Sequence, residues 1–304
     1  MLNSQSLPDT LQDAHALLNT TESTPLAANR RSALKAAFGV GYAATVGAAV
    51  AQTAIKTSSD GLTAGEVMIE VNGFKFPAYR AAPAGKTNLP VVLVIQEIFG
   101  VHEYIADTAR RFAKAGYLAI APELYARQGD PTKYNAIADL IKEVVSKVPD
   151  AQVMADLDGV AKWAAANGGD ASKLAITGFC WGGRVTWMYA AHNPAVKAGV
   201  AWYGRMVGAA NPMSPTNPID HVDKIAGPVL GLYGSADTGI PLDTVDKMKA
   251  ALAGGSPAAK KSTFHVYDGA PHAFHADYRA SYRKEAADDG WKRALDWFRA
   301  NGVA

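Results

Sequence analysis

Val91-Val92-Leu93-Val94-Ile95 is an apolar run without a polar break, and all but one of its residues are β-branched. A strand with one wet face alternates polar and apolar residues, so a run of this kind predicts a strand covered on both faces. Further strand-like runs follow at Tyr117–Ala121, Lys173–Thr177, Val196–Tyr203, Pro228–Tyr233 and Thr263–Tyr267. Helical patterns lie between them. In the clearest, Asp150–Asn167, residues Val153, Leu157, Val160, Ala161 and Ala164 share one face before Gly168-Gly169 ends the pattern. Strands alternating with helices of this length imply right-handed crossovers, hence an α/β fold with a mostly parallel central sheet and helices on both faces. A hairpin precedes it, because Asn72-Gly73 suits a type I′ turn between Glu66–Val71 and Phe74–Ala81.

The first 51 residues read as an address. Polar residues up to Asn29 give way to Arg30-Arg31-Ser32-Ala33-Leu34-Lys35, then to a mildly apolar Ala/Gly-rich run, Ala36–Ala51, ending Ala49-Val50-Ala51. This pattern is expected of a twin-arginine-type export signal, with the translocation machinery as a transient partner and a periplasmic or secreted destination. The competing reading is a cytoplasmic tail in which the two arginines adjoin by chance. The apolar run is shorter than the roughly 20 residues a span requires, so no permanent membrane anchor is expected. Residues 52–304 are long enough for one large domain.

Charge and cysteine usage remove several classes. With 30 basic and 28 acidic residues the formal net charge is +2, which argues against a nucleic-acid surface. A single cysteine excludes an internal disulfide framework and multi-thiolate zinc sites. No G-x-G-x-x-G turn suggests a dinucleotide, and no cofactor is expected.

That cysteine, Cys180, lies in Gly178-Phe179-Cys180-Trp181-Gly182, between the apolar Leu174-Ala175-Ile176 and a helix-forming segment, Arg184–His192. Strand, sharp turn and helix make a nucleophile elbow, here with cysteine in the position usually held by serine. The N–H groups at the helix start favour a thiolate and a developing oxyanion. A nucleophile of this kind needs a base and an orienting acid, in chain order nucleophile, acid, histidine. Asp237 follows the run ending at Tyr233, and His272 follows the run ending at Tyr267. His275 is the nearest competitor; as an H-x-x-H pair with His272 it lacks further ligands, so no metal site is expected.

These features resemble the dienelactone hydrolase family (carboxymethylenebutenolidases) of the α/β-hydrolase superfamily. The likeness rests on Gln96-Glu97-Ile98-Phe99-Gly100, Pro122-Glu123-Leu124-Tyr125-Ala126-Arg127, the Gly178–Gly183 elbow and the Asp237 and His272 loops. It implies an α/β-hydrolase fold and a lactone or activated-ester hydrolase working through an acyl-cysteine. It also implies Cys180 as nucleophile, His272 as base and then acid, Asp237 as its orienter, and backbone N–H groups of Ile98 and Trp181 as the oxyanion hole. Glu97 would exchange a proton with the resting thiol. Independently, a carboxylate at the end of a buried strand demands a partner or a raised pKa. Tyr125, Arg127, Trp202, Tyr203 and Arg205 follow strands on the same edge and are candidates for the pocket. In the family one substrate-binding arginine stands four residues after the histidine; here that position is Ala276, and Arg279 is the nearest replacement. The same machinery suits a thioesterase or arylesterase, and the non-enzymatic alternative is an exported binding or thiol redox-sensing protein.

Overall fold

The computed structural model describes residues 54–304, so the expected export signal (residues 1–51) lies outside the described residues. Two antiparallel strands, β1 (Leu62–Val71) and β2 (Phe74–Pro83), meet at Asn72-Gly73, where both residues take positive φ as the type I′ turn requires. The hairpin is longer than the expected Glu66–Val71 and Phe74–Ala81, since pairing continues out to Leu62↔Pro83. The other strands are β3 (Leu89–Ile95), β4 (Leu118–Pro122), β5 (Gly169–Phe179), β6 (Val196–Trp202), β7 (Val229–Gly234) and β8 (Thr263–Tyr267). They form one sheet in the order β1-β2-β4-β3-β5-β6-β7-β8. From β4 to β8 every neighbouring pair is parallel.

Among the described residues six α-helices connect or flank the strands: α1 (Glu103–Lys114), α2 (Ile137–Glu143), α3 (Asp150–Ala166), α4 (Trp181–His192), α5 (Leu242–Gly254) and α6 (Lys284–Ala300). The chain leaves β3 toward β4 through α1, then crosses back over β3 to β5 through α3 and on to β6 through α4. Right-handed crossovers running in opposite directions place their helices on opposite faces. The packing agrees: the Phe112 ring of α1 packs at a tilt on Trp291 of α6 with centroids 4.4 Å apart, whereas α3 and α4 pack on each other. Val91–Ile95 is buried throughout, which explains the unbroken apolar run. Each such side chain contributes at most about 1.5–3 kcal/mol of burial energy.

The reversal of strand order falls between β3 and β5, and the crevice outside the carboxyl ends of such a strand pair is where doubly wound sheets bind ligands. The register is specific. Ile95 pairs with Gly178, so Glu97 and Cys180 each stand two residues beyond the same rung.

Candidate active site

Cys180 caps the N-terminus of α4 with φ 56° and ψ −114°, a conformation that side-chain-bearing residues rarely hold. The neighbouring glycines make it possible. A Cβ on Gly178 would lie 2.1 Å from the carbonyl oxygen of Gly182, and one on Gly182 would lie 2.5 Å from those of Ile95 and Gln96. The elbow therefore sits directly on the end of β3. On its other side the Cys180 N–H donates to the Trp202 carbonyl at 3.0 Å, tying the turn to β6.

Asp237 and His272 come from two loops that are bonded to each other. Ser235 N–H donates to the Tyr267 carbonyl at 2.9 Å, and Ala236 N–H to that of Ala270 at 3.0 Å. Gly234 permits this approach, because a Cβ there would lie 2.1 Å from the Ala270 carbonyl oxygen. As a result Nδ1–H of His272 donates to Oδ2 of Asp237 at 2.7 Å, while Oδ1 accepts from Gly239 and Ile240 N–H at 2.9 and 3.1 Å. Both side chains are buried. Burial alone would lower the imidazole's pKa, but the Asp237 charge, the Cys180 charge and their hydrogen bonds hold it well above its ordinary value. Nε2 has no nitrogen or oxygen partner; Cys180 is its neighbour. A protonated imidazole beside the sulfur stabilises the thiolate once the thiol proton has been removed.

Two further positions with positive φ adjoin this site: Tyr203 at 39° and Ala273 at 60°. The remaining non-glycine positive-φ residues among the described residues are the nucleophile Cys180 itself and, outside the site, Asn72 and Asn88, and asparagine tolerates such backbone in turns. Strain of about 1–3 kcal/mol per residue thus collects around the histidine and the cysteine.

Glu97 is 1 % exposed. Its Oε2 accepts the Tyr278 hydroxyl at 2.8 Å and lies 3.9 Å from Nε2 of His102, whereas Oε1 has no hydrogen-bond partner. Burial raises its pKa, against the opposing pull of Arg279, Tyr278 and His272. Ile98 follows it in the loop after β3, and Trp181 is the first residue of α4, where backbone N–H groups stand outside the helical ladder.

The sequence profile of the dienelactone hydrolase family matches residues 76–302. The chain belongs to the dienelactone hydrolase family. It is 56 % identical over 277 residues to a Methylorubrum extorquens protein named "Putative carboxymethylenebutenolidase", covering 91 % of this chain and 94 % of that one. A Bradyrhizobium protein, "Probable 2-oxo-3-(5-oxofuran-2-ylidene)propanoate lactonase", is 32 % identical over 236 residues, 77 % of this chain and 92 % of its own. The crystal structure of a "Putative Dienelactone Hydrolase" from Klebsiella pneumoniae superposes with a TM-score of 0.76 at 58 % identity, covering 78 % of this chain and 98 % of that one. The chain is thus a hydrolase of the α/β-hydrolase superfamily.

Within this dienelactone hydrolase fold the candidate pocket residues divide. The Tyr203 ring meets His272 edge-on at 5.1 Å, and Tyr125 packs on Trp181 at 4.9 Å. Arg279 lies with its guanidinium 5.7 Å from the Phe99 ring, its charge felt by Glu97 and Cys180, and its Nη1 buried without a partner. Two assignments need correction. Arg127 pairs with Asp156 of α3 and lies 4.3 Å over the Phe74 ring, so its charge is spent on the hairpin and α3. The Trp202 side chain is core: its indole N–H donates to Thr177 at 3.1 Å, and its ring presses on Gly290 of α6. Arg205 is buried, 7 % exposed, just beyond Tyr203.

Tyr278, His102 and Tyr104 carry no motif of their own and were missed by sequence reasoning. His275 is engaged elsewhere, held at 2.6 Å by the Tyr104 hydroxyl and stacked 5.2 Å from Phe179. Burial and then the Arg111 charge press its pKa well below the ordinary value, so it stays neutral.

Proposed function

We propose that this protein hydrolyses lactones or activated esters that carry a carboxylate, through a covalent acyl-cysteine. The observation that carries the reading is the 2.7 Å His272–Asp237 bond beside a cysteine on a strained elbow. In this mechanism the Cys180 thiolate attacks the substrate carbonyl and forms the S–C bond. The oxyanion is received by the N–H groups of Trp181 and Ile98. Collapse breaks the C–O bond, and His272 gives its proton to the leaving oxygen. Water then donates a proton to His272, attacks the thioester and releases the acid. Glu97 takes the thiol proton when substrate binds, which keeps the resting sulfur protonated in the empty site.

Arg279 supplies the preference for an anionic substrate, since its buried, unpartnered Nη1 matches a carboxylate oxygen. The Bradyrhizobium relative, named as a propanoate lactonase, points to the same substrate chemistry. Export by a twin-arginine route, with cleavage after Ala51, completes the proposal and rests on Arg30-Arg31 and the run that follows.

A screen of purified protein against lactones, aryl esters and thioesters, with Cys180→Ser and Cys180→Ala beside it, tests the chemistry. Burst release of nitrophenol from an activated ester, equal in amount to the enzyme and lost with Cys180→Ala, is expected. No burst and no turnover on any of these classes leaves the binding or redox-sensing alternative standing.

A further inference from the structure

Glu97 has two oxygens in different surroundings. Oε2 accepts a hydrogen bond from Tyr278 at 2.8 Å, and Oε1 is buried with no partner. A buried carboxylate oxygen left unpaired is costly, so the asymmetry calls for a role. We propose that Tyr278 is a positioning residue of this reaction: its hydroxyl engages Oε2 and thereby reserves Oε1 for proton exchange with Cys180. The inference rests on the proposed exchange between Glu97 and the thiol and names the group that orients it.

The loop bearing Tyr278 is fastened from behind. Asp277 pairs with Arg111 of α1, and Arg111 also donates from Nε to Asp107 at 2.7 Å. The Ile55 backbone bonds Asp277, and Thr57 donates from N to Asp107 at 2.6 Å. The Tyr278 ring is wedged edge-on against His102 at 5.0 Å and tilted against Tyr104 at 5.4 Å. The phenol therefore has little freedom to leave Glu97. In chemical terms the proton moves from Sγ to Oε1 as substrate binds and returns after product leaves, while the Tyr278 O–H keeps its own proton throughout.

Groups facing Glu97 come from every element around it. They are Tyr278 and Arg279 on the loop, His272 beyond β8, His102 and Tyr104 at the start of α1, and Tyr203 after β6. Of these, Tyr278 donates at hydrogen-bond distance to Oε2, and its bond favours the ionised carboxylate. Its removal has a defined sign. In Tyr278→Phe the Glu97 pKa rises further, because burial then acts with less opposition.

The experiment measures iodoacetamide alkylation of Cys180 against pH, without substrate, in the full-length protein and in Tyr278→Phe, Glu97→Gln and the double variant, with kcat/KM determined for each. Tyr278→Phe keeps the ring contacts and should melt near the wild-type temperature. The inference expects its kcat/KM to fall roughly tenfold to hundredfold, less than the roughly 10²–10⁴-fold for losing the proton-transfer group itself. It also expects the limb of the alkylation profile that vanishes in Glu97→Gln to move to higher pH. The double variant should match Glu97→Gln in both readouts, since a positioning residue has nothing left to position. Fluorotyrosine at 278, a stronger donor, should move the limb to lower pH. A Tyr278→Phe profile superimposable on the wild type, or losses that add in the double variant, overturns the inference while leaving the exchange intact. If Glu97→Gln itself changes neither profile nor turnover, the exchange falls and the inference falls with it.

Discussion

Arg279 donates its backbone N–H to the carbonyl of Ala276 at 3.0 Å, closing a turn between the position where the resemblance places a substrate-binding arginine and the arginine this chain has. The turn returns the guanidinium to the neighbourhood of Glu97 and Cys180 despite the shift in spacing. A buried cation with an unpaired Nη1 gains about 1.5–3 kcal/mol from a charged hydrogen bond to a carboxylate. In Arg279→Ala, KM for a carboxylate-bearing lactone should rise roughly tenfold to hundredfold, with little change for a neutral aryl ester. Equal loss on both substrates would assign Arg279 to Glu97 rather than to substrate.

Cys180→Ala should abolish turnover while the melting temperature stays near that of the wild type, because the lost sulfur leaves only a small cavity. His272→Ala should be nearly as severe. Triad members act as a unit, so the double variant is expected to be hardly slower than either single one. Multiplying defects would show that cysteine and histidine act independently.

For Asp237→Asn the direction is set by electrostatics. The Asp237 carboxylate helps hold the imidazolium, and once it is gone burial favours the neutral ring. The His272 ring resonances should titrate at lower pH than in the wild type, and kcat should fall by about 10³–10⁴. An unchanged His272 titration would place the source of its raised pKa outside the pair.

Processing and stability meet at Thr57. A protein beginning at Gln52 keeps the Thr57 bonds to the buried Asp107, whereas one beginning at Gly61 leaves that carboxylate short of two donors. The shorter form should be less stable by about 2 kcal/mol, lowering Tm by roughly 4–8 °C. Calorimetry of both forms decides it, and coincident transitions would make the segment dispensable.

Export is tested in cells. Periplasmic fractions should contain protein beginning at Gln52, and Arg30→Lys with Arg31→Lys should retain the full chain in the cytoplasm. Full-length protein in the cytoplasm regardless of the two arginines would sink the twin-arginine proposal.

Much of this architecture could be read in advance, because strands buried on both faces must be apolar throughout and an elbow must carry small residues where backbone meets backbone. Val91–Ile95 and Gly178–Gly182 are legible for that reason. Chain order alone also suggested Asp237 and His272. Gly169, by contrast, belongs to β5, although beside Gly168 it looked like a helix stop.

What the sequence by itself determined is which residues stand at strand ends: apolar periodicity and glycine placement are local constraints, and Cys180, Glu97, Asp237 and His272 follow from them. Only the tertiary structure decided where long side chains go. Arg127 and Trp202 follow strands on the expected edge, yet a guanidinium or an indole settles wherever a partner is met, here Asp156 and Thr177. Tyr278 reaches Glu97 across 181 positions of chain, and Tyr203 and Ala273 hold positive φ that no local pattern announces. Such contacts depend on the crossover back over β3, which joins residues that no local pattern relates.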